Sequence, residues 1–157
     1  MDAKLINPFI NATLNVLKTM AHVDAAPGKP TVKLDNRTWG DVTGIIGMAG
    51  EKVSGTMAIS FEQTTILYAV SKMLMEEFTQ INQDVVDAVG EITNMICGGT
   101  KKDLAEAGYK FDMAIPMIIS GKGVEVKQMT ASPILVIPFT SGPGSFVVEA
   151  NLVAKKN

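Results

Sequence analysis

Apolar residues along this 157-residue chain change their spacing three times, from helical to extended, back to helical and then to extended again, and few folds accommodate that order. From Ala3 to Met20, the residues Leu5, Ile6, Phe9, Ile10, Leu14 and Leu17 recur at helical spacing and leave most Asn residues on another face, which predicts an amphipathic helix. After the turn-rich Ala25–Pro30 segment, Thr31–Trp39, Asp41–Met48 and Val53–Phe61 read as extended stretches separated by Gly40 and by Ala49-Gly50-Glu51; a meander is expected. Helical spacing returns from Gln63 to Phe78 through Ile66, Leu67, Val70 and Leu74. It continues from Ile81 to Ala107, where Gly98-Gly99 is expected to interrupt the helix. Beyond Gly108, strands are expected near Phe111–Ser120, Val124–Met129, Ser132–Thr140 and Ser145–Leu152, with turns at Gly121–Gly123 and Ser141–Gly144.

Strands grouped beside helices indicate an α+β fold. The expected architecture is an antiparallel sheet with helices packed on one face, the first and third side by side. The repeated order implies two pseudo-symmetric halves within a single domain spanning residues 1–157, the boundary near residue 80 being that of a pseudo-repeat only. A chain of this length buries roughly 70% of its unfolded surface, so neither a metal nor a disulfide is needed to hold it.

Charge removes several functional classes. Lys and Arg number 14 against 16 Asp and Glu, which offers no basic excess to nucleic acid or to an anionic membrane. The single cysteine, Cys97, excludes an internal disulfide, cannot form a metal site alone, and fits the reducing cytosol. No uninterrupted apolar run approaches the roughly 20 residues of a membrane span, and polar residues break up the first twenty positions where an export signal would be apolar. A cytoplasmic protein is expected.

The long helix carries the chemistry. At about 100° per residue, Val85, Val89, Ile92 and Ile96 fall on one side and form its core face, while Asp84, Asp87, Glu91, Asn94, Gly98 and Lys101 fall on the other. Glu91 and Asn94, three residues apart, therefore project side by side where their head groups can meet one partner. Any solvated helix shows acids and amides opposite an apolar stripe, so the pattern alone is unspecific. Gly98-Gly99 adds weight: two glycines cost a helix on the order of 2 kcal/mol relative to alanines, and the close approach of another backbone is the usual reason.

The run Asp87-Ala-Val-Gly-Glu91-Ile-Thr-Asn94-Met-Ile-Cys-Gly-Gly99-Thr-Lys-Lys-Asp-Leu104 resembles the active helix of the CheC, CheX and FliY phosphatase family, whose pattern is Asp or Ser, three residues, Glu, two residues, Asn. Asn7 to Met20 echoes the family's opening helix, and the order of elements fits along nearly the whole chain; the length is similar to that of the CheX branch. Some members carry two active helices. Aligning Ala12-Thr-Leu-Asn15 with Glu91-Ile-Thr-Asn94 puts alanine where the carboxylate belongs, so the first half reads as catalytically degenerate, with one site per chain.

The resemblance implies a phosphatase acting on the aspartyl phosphate of a CheY-like response regulator in chemotaxis or related two-component signalling. The regulator would bring its own Mg²⁺ and Lys, so no cofactor of this chain's own is expected. Phosphoryl transfer depends mainly on positioning and charge stabilisation. Asn94 suits the task of orienting the attacking water, because its amide both accepts and donates hydrogen bonds without a charge that repels phosphate. For Glu91 the resemblance implies a salt bridge to the regulator's active-site Lys. Asp87 matches the family pattern one turn earlier, where a helix-surface contact explains it equally well. A homodimer is expected from the resemblance and from short strands that leave sheet edges open. The rival reading is a non-catalytic adaptor that docks a regulator or motor component through the same surface.

Other candidates carry less. His22 falls at the end of the first helix, where a cation is mildly favoured, and no second His exists to share a metal. Met73, Met95, Met113 and Met117 are expected to fill core space. Cys97 has no His or Cys at an activating spacing. The Gly-Lys pairs at Gly28-Lys29 and Gly121-Lys122 lack the spacing of a phosphate-binding P-loop.

Overall fold

A computed structural model describes residues 3–127 and 132–155. Helix α1 (Ala3–Ala21) is followed by the short strands β1 (Ala25–Pro27) and β2 (Thr31–Val32) and by a long hairpin, β3 (Val42–Ala49) and β4 (Val53–Phe61). Helices α2 (Gln63–Leu74) and α3 (Gln83–Glu106) lead into β5 (Asp112–Met113), β6 (Met117–Ser120) and a second hairpin, β7 (Leu135–Ser141) and β8 (Ser145–Ala154). One antiparallel sheet runs β1–β7–β8–β4–β3–β5, with β2 also on β7 and β6 also on β3. The three helices cover one face, giving the expected α+β architecture.

The pseudo-symmetry is explicit in the pairing. Each half contributes a helix and then a hairpin, and the two hairpins join through β4 and β8, from Val53 opposite Ala154 to Phe61 opposite Phe146. The segments between helix and hairpin are exchanged. Strands β1 and β2 leave α1 and pair with β7 of the second half, whereas β5 and β6 leave α3 and pair with β3 of the first. This exchange overturns the expected three-stranded meander: Thr31–Trp39 provides only a two-residue strand on the far side of the sheet, and only β3 and β4 form a hairpin. The same exchange places residues 33–38 beside residues 123–126, with the Thr38 amide on Val124 O at 2.9 Å and the Val126 amide on Asn36 O at 2.6 Å.

Those two arms cover the face opposite the helices, and the alternation along the strands explains the difference between faces. Val42, Ile46, Met57, Ile59, Phe61, Phe146, Val148 and Ala150 point into the helix side and are buried. Their neighbours Thr43, Ser60, Glu149 and Asn151 point to the back and are buried there as polar groups. Each finds a partner: Thr43 and Ser60 hydroxyls lie 2.7 Å apart, Lys33 Nζ reaches both Glu149 oxygens at 2.8 Å, and Asn151 Nδ2 donates to Ser132 O and Pro133 O. On the helix side Phe139 stacks on Phe146 at 4.8 Å and Phe61 tilts against it at 5.4 Å, tying the hairpins together.

Several boundaries shift for local reasons. Helix α2 stops at Leu74 rather than Phe78 because Met75 takes a left-handed conformation (φ 53°), its amide donating to Ser71 O. The expected strand at Phe111–Ser120 divides into β5 and β6 around Ala114–Pro116, since proline cannot donate to a ladder. Of Val124–Met129 only an isolated bridge, Glu125 with Arg37, forms, and positions 128 and 129 lie outside the described residues. The last hairpin begins at Leu135, not Ser132. Met73, Met95 and Met113 pack against the core as expected, but Met117, on edge strand β6, is exposed.

Candidate active site on the third helix

Helix α3 starts where Asn82 accepts the Val85 amide at 3.1 Å, an N-cap worth about 1 kcal/mol. It runs unbroken through Gly98-Gly99, contrary to the expected interruption, because its apolar stripe is anchored on both sides of the pair. Val85, Val89, Ile92 and Ile96 are fully buried before it and Leu104 after it, each contributing about 2 kcal/mol by burial. The buried hydroxyls of Thr93 and Thr100 donate to Val89 O at 2.7 Å and Ile96 O at 2.9 Å, so neither leaves a polar group unpaired. The helix ends at Ala107, and Gly108 turns the chain away with φ 93°.

Two glycines set how α3 sits. Gly44 of β3 lies directly beneath Thr93, and a side chain there would collide with Thr93 Oγ1. The bare strand lets the helix settle onto the sheet beneath the turn that carries Glu91 and Asn94. Gly99 faces α1, where a Cβ would stand 3.2 Å from that of Ala12. The glycine pair therefore divides: Gly99 serves the expected close packing, while Gly98 faces open space with nothing within 4 Å.

Glu91 and Asn94 stand exposed on the side of α3 turned away from the core. Among the described residues, neither has a hydrogen-bond or ion-pair partner within the chain. A carboxylate and an amide are thus held side by side on a rigid element with their bonding capacity unspent. Asp87, also exposed, accepts a 2.8 Å hydrogen bond from Gln83 Nε2, in keeping with a helix-surface role. The corresponding positions of α1 differ in kind: Ala12 is buried against α3, and Asn15 is exposed, accepting from Thr19 Oγ1 at 3.5 Å.

His22 closes α1 through its backbone, with φ 53° and its amide on Lys18 O at 3.2 Å. Cys97 is buried, and burial pushes its thiol up to about 11, with the Lys101 ammonium pulling partly the other way, which disfavours the thiolate that a nucleophile needs. The sequence put Lys101 on the polar face of α3 but gave no sign of the other lysines that the fold gathers with it at the far end of the helix. There Lys52 of the β3–β4 turn, Lys101, Lys110 and Lys155 rim a cleft of about 890 Å³. They come from four separate stretches of chain, so no local pattern announces them.

A family described as "Chemotaxis phosphatase CheX" matches residues 42–140, more than half of the chain. A CheY-P phosphatase CheX from Thermotoga maritima is 26% identical over 129 residues, covering 82% of this chain and 83% of its own. The crystal structure of a CheC-like superfamily protein from Shewanella sp. PV-4 superposes with a TM-score of 0.90 at 44% identity, covering 98% of this chain and 99% of that one. A chain in the CheX–CheY–BeF₃–Mg²⁺ complex from Borrelia burgdorferi superposes with a TM-score of 0.77 at 28% identity, covering 96% and 97%. Matched by that family over more than half of its length, this chain belongs to the chemotaxis phosphatase CheX family.

Proposed function

We propose that the chain hydrolyses the aspartyl phosphate of a CheY-like response regulator, with Asn94 holding the attacking water and Glu91 docking the regulator's active-site Lys. The observation that carries this reading is the pairing of Glu91 with Asn94 on one exposed helix face, neither with a partner among the described residues. The Borrelia relative, solved in complex with CheY, BeF₃ and Mg²⁺, supports the class of partner. The acyl phosphate, its Mg²⁺ and its Lys belong to the regulator, so this chain supplies a water position and an alignment contact. Asn94 meets the first need: its carbonyl accepts from water and its NH₂ donates, without the charge that would repel phosphate. Glu91, an anion beside phosphate, is favourable only where it meets a cation, and the Lys provides one. A response regulator is a cytoplasmic signalling protein, so the cytoplasm is the compartment proposed for this chain.

Two copies are proposed to join along a sheet edge, leaving an active helix on each side free for a regulator. Edge residues Val32, Ile115 and Met117 are exposed apolar side chains at strands or turns that have no outer strand neighbour among the described residues. A panel of phosphorylated receiver domains, incubated with and without the protein, tests the reaction. Accelerated phosphate release from at least one of them is expected; tight binding without acceleration would identify an adaptor instead.

A further inference from the structure

Down α3 the positions Glu91, Asn94, Gly98, Lys101 and Ala105 fall along one line at about 100° per residue. The line ends in the lysine-rimmed cleft, to which both Lys101 and Ala105 contribute walls. Seven residues separate Asn94 from Lys101 and eleven separate it from Ala105, so the cleft opens about 10–16 Å from the amide at ~1.5 Å per residue. Between them Gly98 presents bare backbone to open space. Nothing on the stripe prevents one object from lying along both.

The cleft is a built feature. The Gly50 amide donates to Val53 O at 2.8 Å, and a side chain on Gly50 would strike Lys110 O, so the β3–β4 turn is pressed against the segment leaving α3. The Lys155 amide donates to Lys52 O at 2.6 Å, which brings the end of β8 to the same rim. Among the described residues that line the cleft, the acidic side chains beside Lys52, Lys101, Lys110 and Lys155 are Glu51 and Asp112, and the Lys101–Asp112 pair is loose at 3.8 Å. In a chain whose formal net charge is -2, this is a local concentration of positive charge.

We propose that the cleft is a second docking point for the phosphorylated regulator, receiving a carboxylate-rich segment of its surface while Asn94 faces the phosphoryl group. The inference rests on the catalytic reading of Asn94 and adds to it the feature that selects the partner. The stretch from Glu91 to Ala105 is about 21 Å long at ~1.5 Å per residue, which fits within one side of an ordinary protein interface, on the order of 800 Å². Charges at the rim of such an interface steer encounter and discriminate between partners more than they accelerate the chemical step. The cleft adjoins the carbonyl end of α3, where lysines that offset the helix dipole would act on stability rather than encounter, but the last turn of α3 itself carries no basic residue.

The test is a double variant, Lys52→Glu with Lys110→Glu, both at exposed positions, assayed on a phosphorylated receiver domain that the wild type dephosphorylates. The KM is expected to rise about tenfold at low salt with kcat within twofold of wild type, and its dependence on salt to flatten. Circular dichroism and Tm should match the wild type. An unchanged KM and salt dependence in a folded variant overturns the proposal. So does a fall in Tm without a change in KM, which assigns the lysines to the helix end. Inhibition of the wild type by micromolar inorganic pyrophosphate, escaped by a double variant of normal KM, would reassign the cleft to a small anion. Asn94→Ala run in parallel separates the two readings: an active Asn94→Ala protein defeats the catalytic reading itself, whereas an inactive one beside a kinetically normal double variant defeats the cleft alone.

Discussion

Asn94 and Glu91 are neighbours with different tasks, and their substitutions should fail differently. Both are exposed, so neither change removes core contacts. Ala12 tests the other half. Because it is buried against Gly99, introducing a carboxylate by Ala12→Glu does not recreate a second site; it forces a charge between α1 and α3. A loss of about 2–4 kcal/mol in urea unfolding is expected, with no gain in phosphatase activity. Alignment of the two helices exposed the missing carboxylate, but only the packing reveals that the position is closed to one. Cys97 gives a prediction in pH. Burial raises its thiol from the ordinary 9.0 to about 11, so the folded state holds the proton that the unfolded chain releases first. Its contribution to stability is complete below pH 9 and is lost as pH rises from about 9 through 11. Urea midpoints across that window should fall more steeply for the wild type than for Cys97→Ala, and a thiol reagent at pH 8 should label the native protein only after unfolding.

Helix α3 is the element on which the account turns, and its two adjacent glycines make a paired test. Gly98→Ala places a methyl in open space and removes a flexible residue from a helix interior, so it should stabilise by about 0.5–1 kcal/mol. Gly99→Ala gains the same helix propensity but brings its methyl 3.2 Å from the Ala12 Cβ, so its gain should be smaller or reversed; chemical denaturation of both variants measures the difference. The apolar stripe of α3 and its polar face were legible in the sequence, because a period of 3.6 carried by Val85, Val89, Ile92 and Ile96 has no competing reading over that length. The continuity of the helix through Gly98-Gly99 was not, since local propensity does not register the burial of Ile96 and Leu104 on either side. The seat provided by Gly44 was equally hidden: in the sequence it is one glycine in a strand, and only the fold sets it beneath Thr93.

For the molecule as a whole, the α+β class and the two similar halves could be read from the order of periodic segments. The exchange of β1 and β2 for β5 and β6 could not, because pairing partners far apart in sequence leave no local trace; the expected meander followed from adjacency alone. Association of two copies along a sheet edge belongs to this scale as well. Light scattering should give a mass near twice 16.7 kDa at micromolar concentration, and Met117→Lys, at an exposed edge position, should shift it toward the monomer without lowering Tm. The central claim is that one amide on α3 holds the water that cleaves a regulator's acyl phosphate. It is tested most directly by the rate of phosphate release from a phosphorylated receiver domain at rising receiver concentration, for the wild type, Asn94→Ala and Glu91→Ala. Asn94→Ala, folded as judged by circular dichroism, is expected to lose about 10²-fold or more in kcat at every receiver concentration, whereas the Glu91→Ala defect should shrink as the receiver approaches saturation. A folded Asn94→Ala protein that releases phosphate at the wild-type rate would contradict the claim.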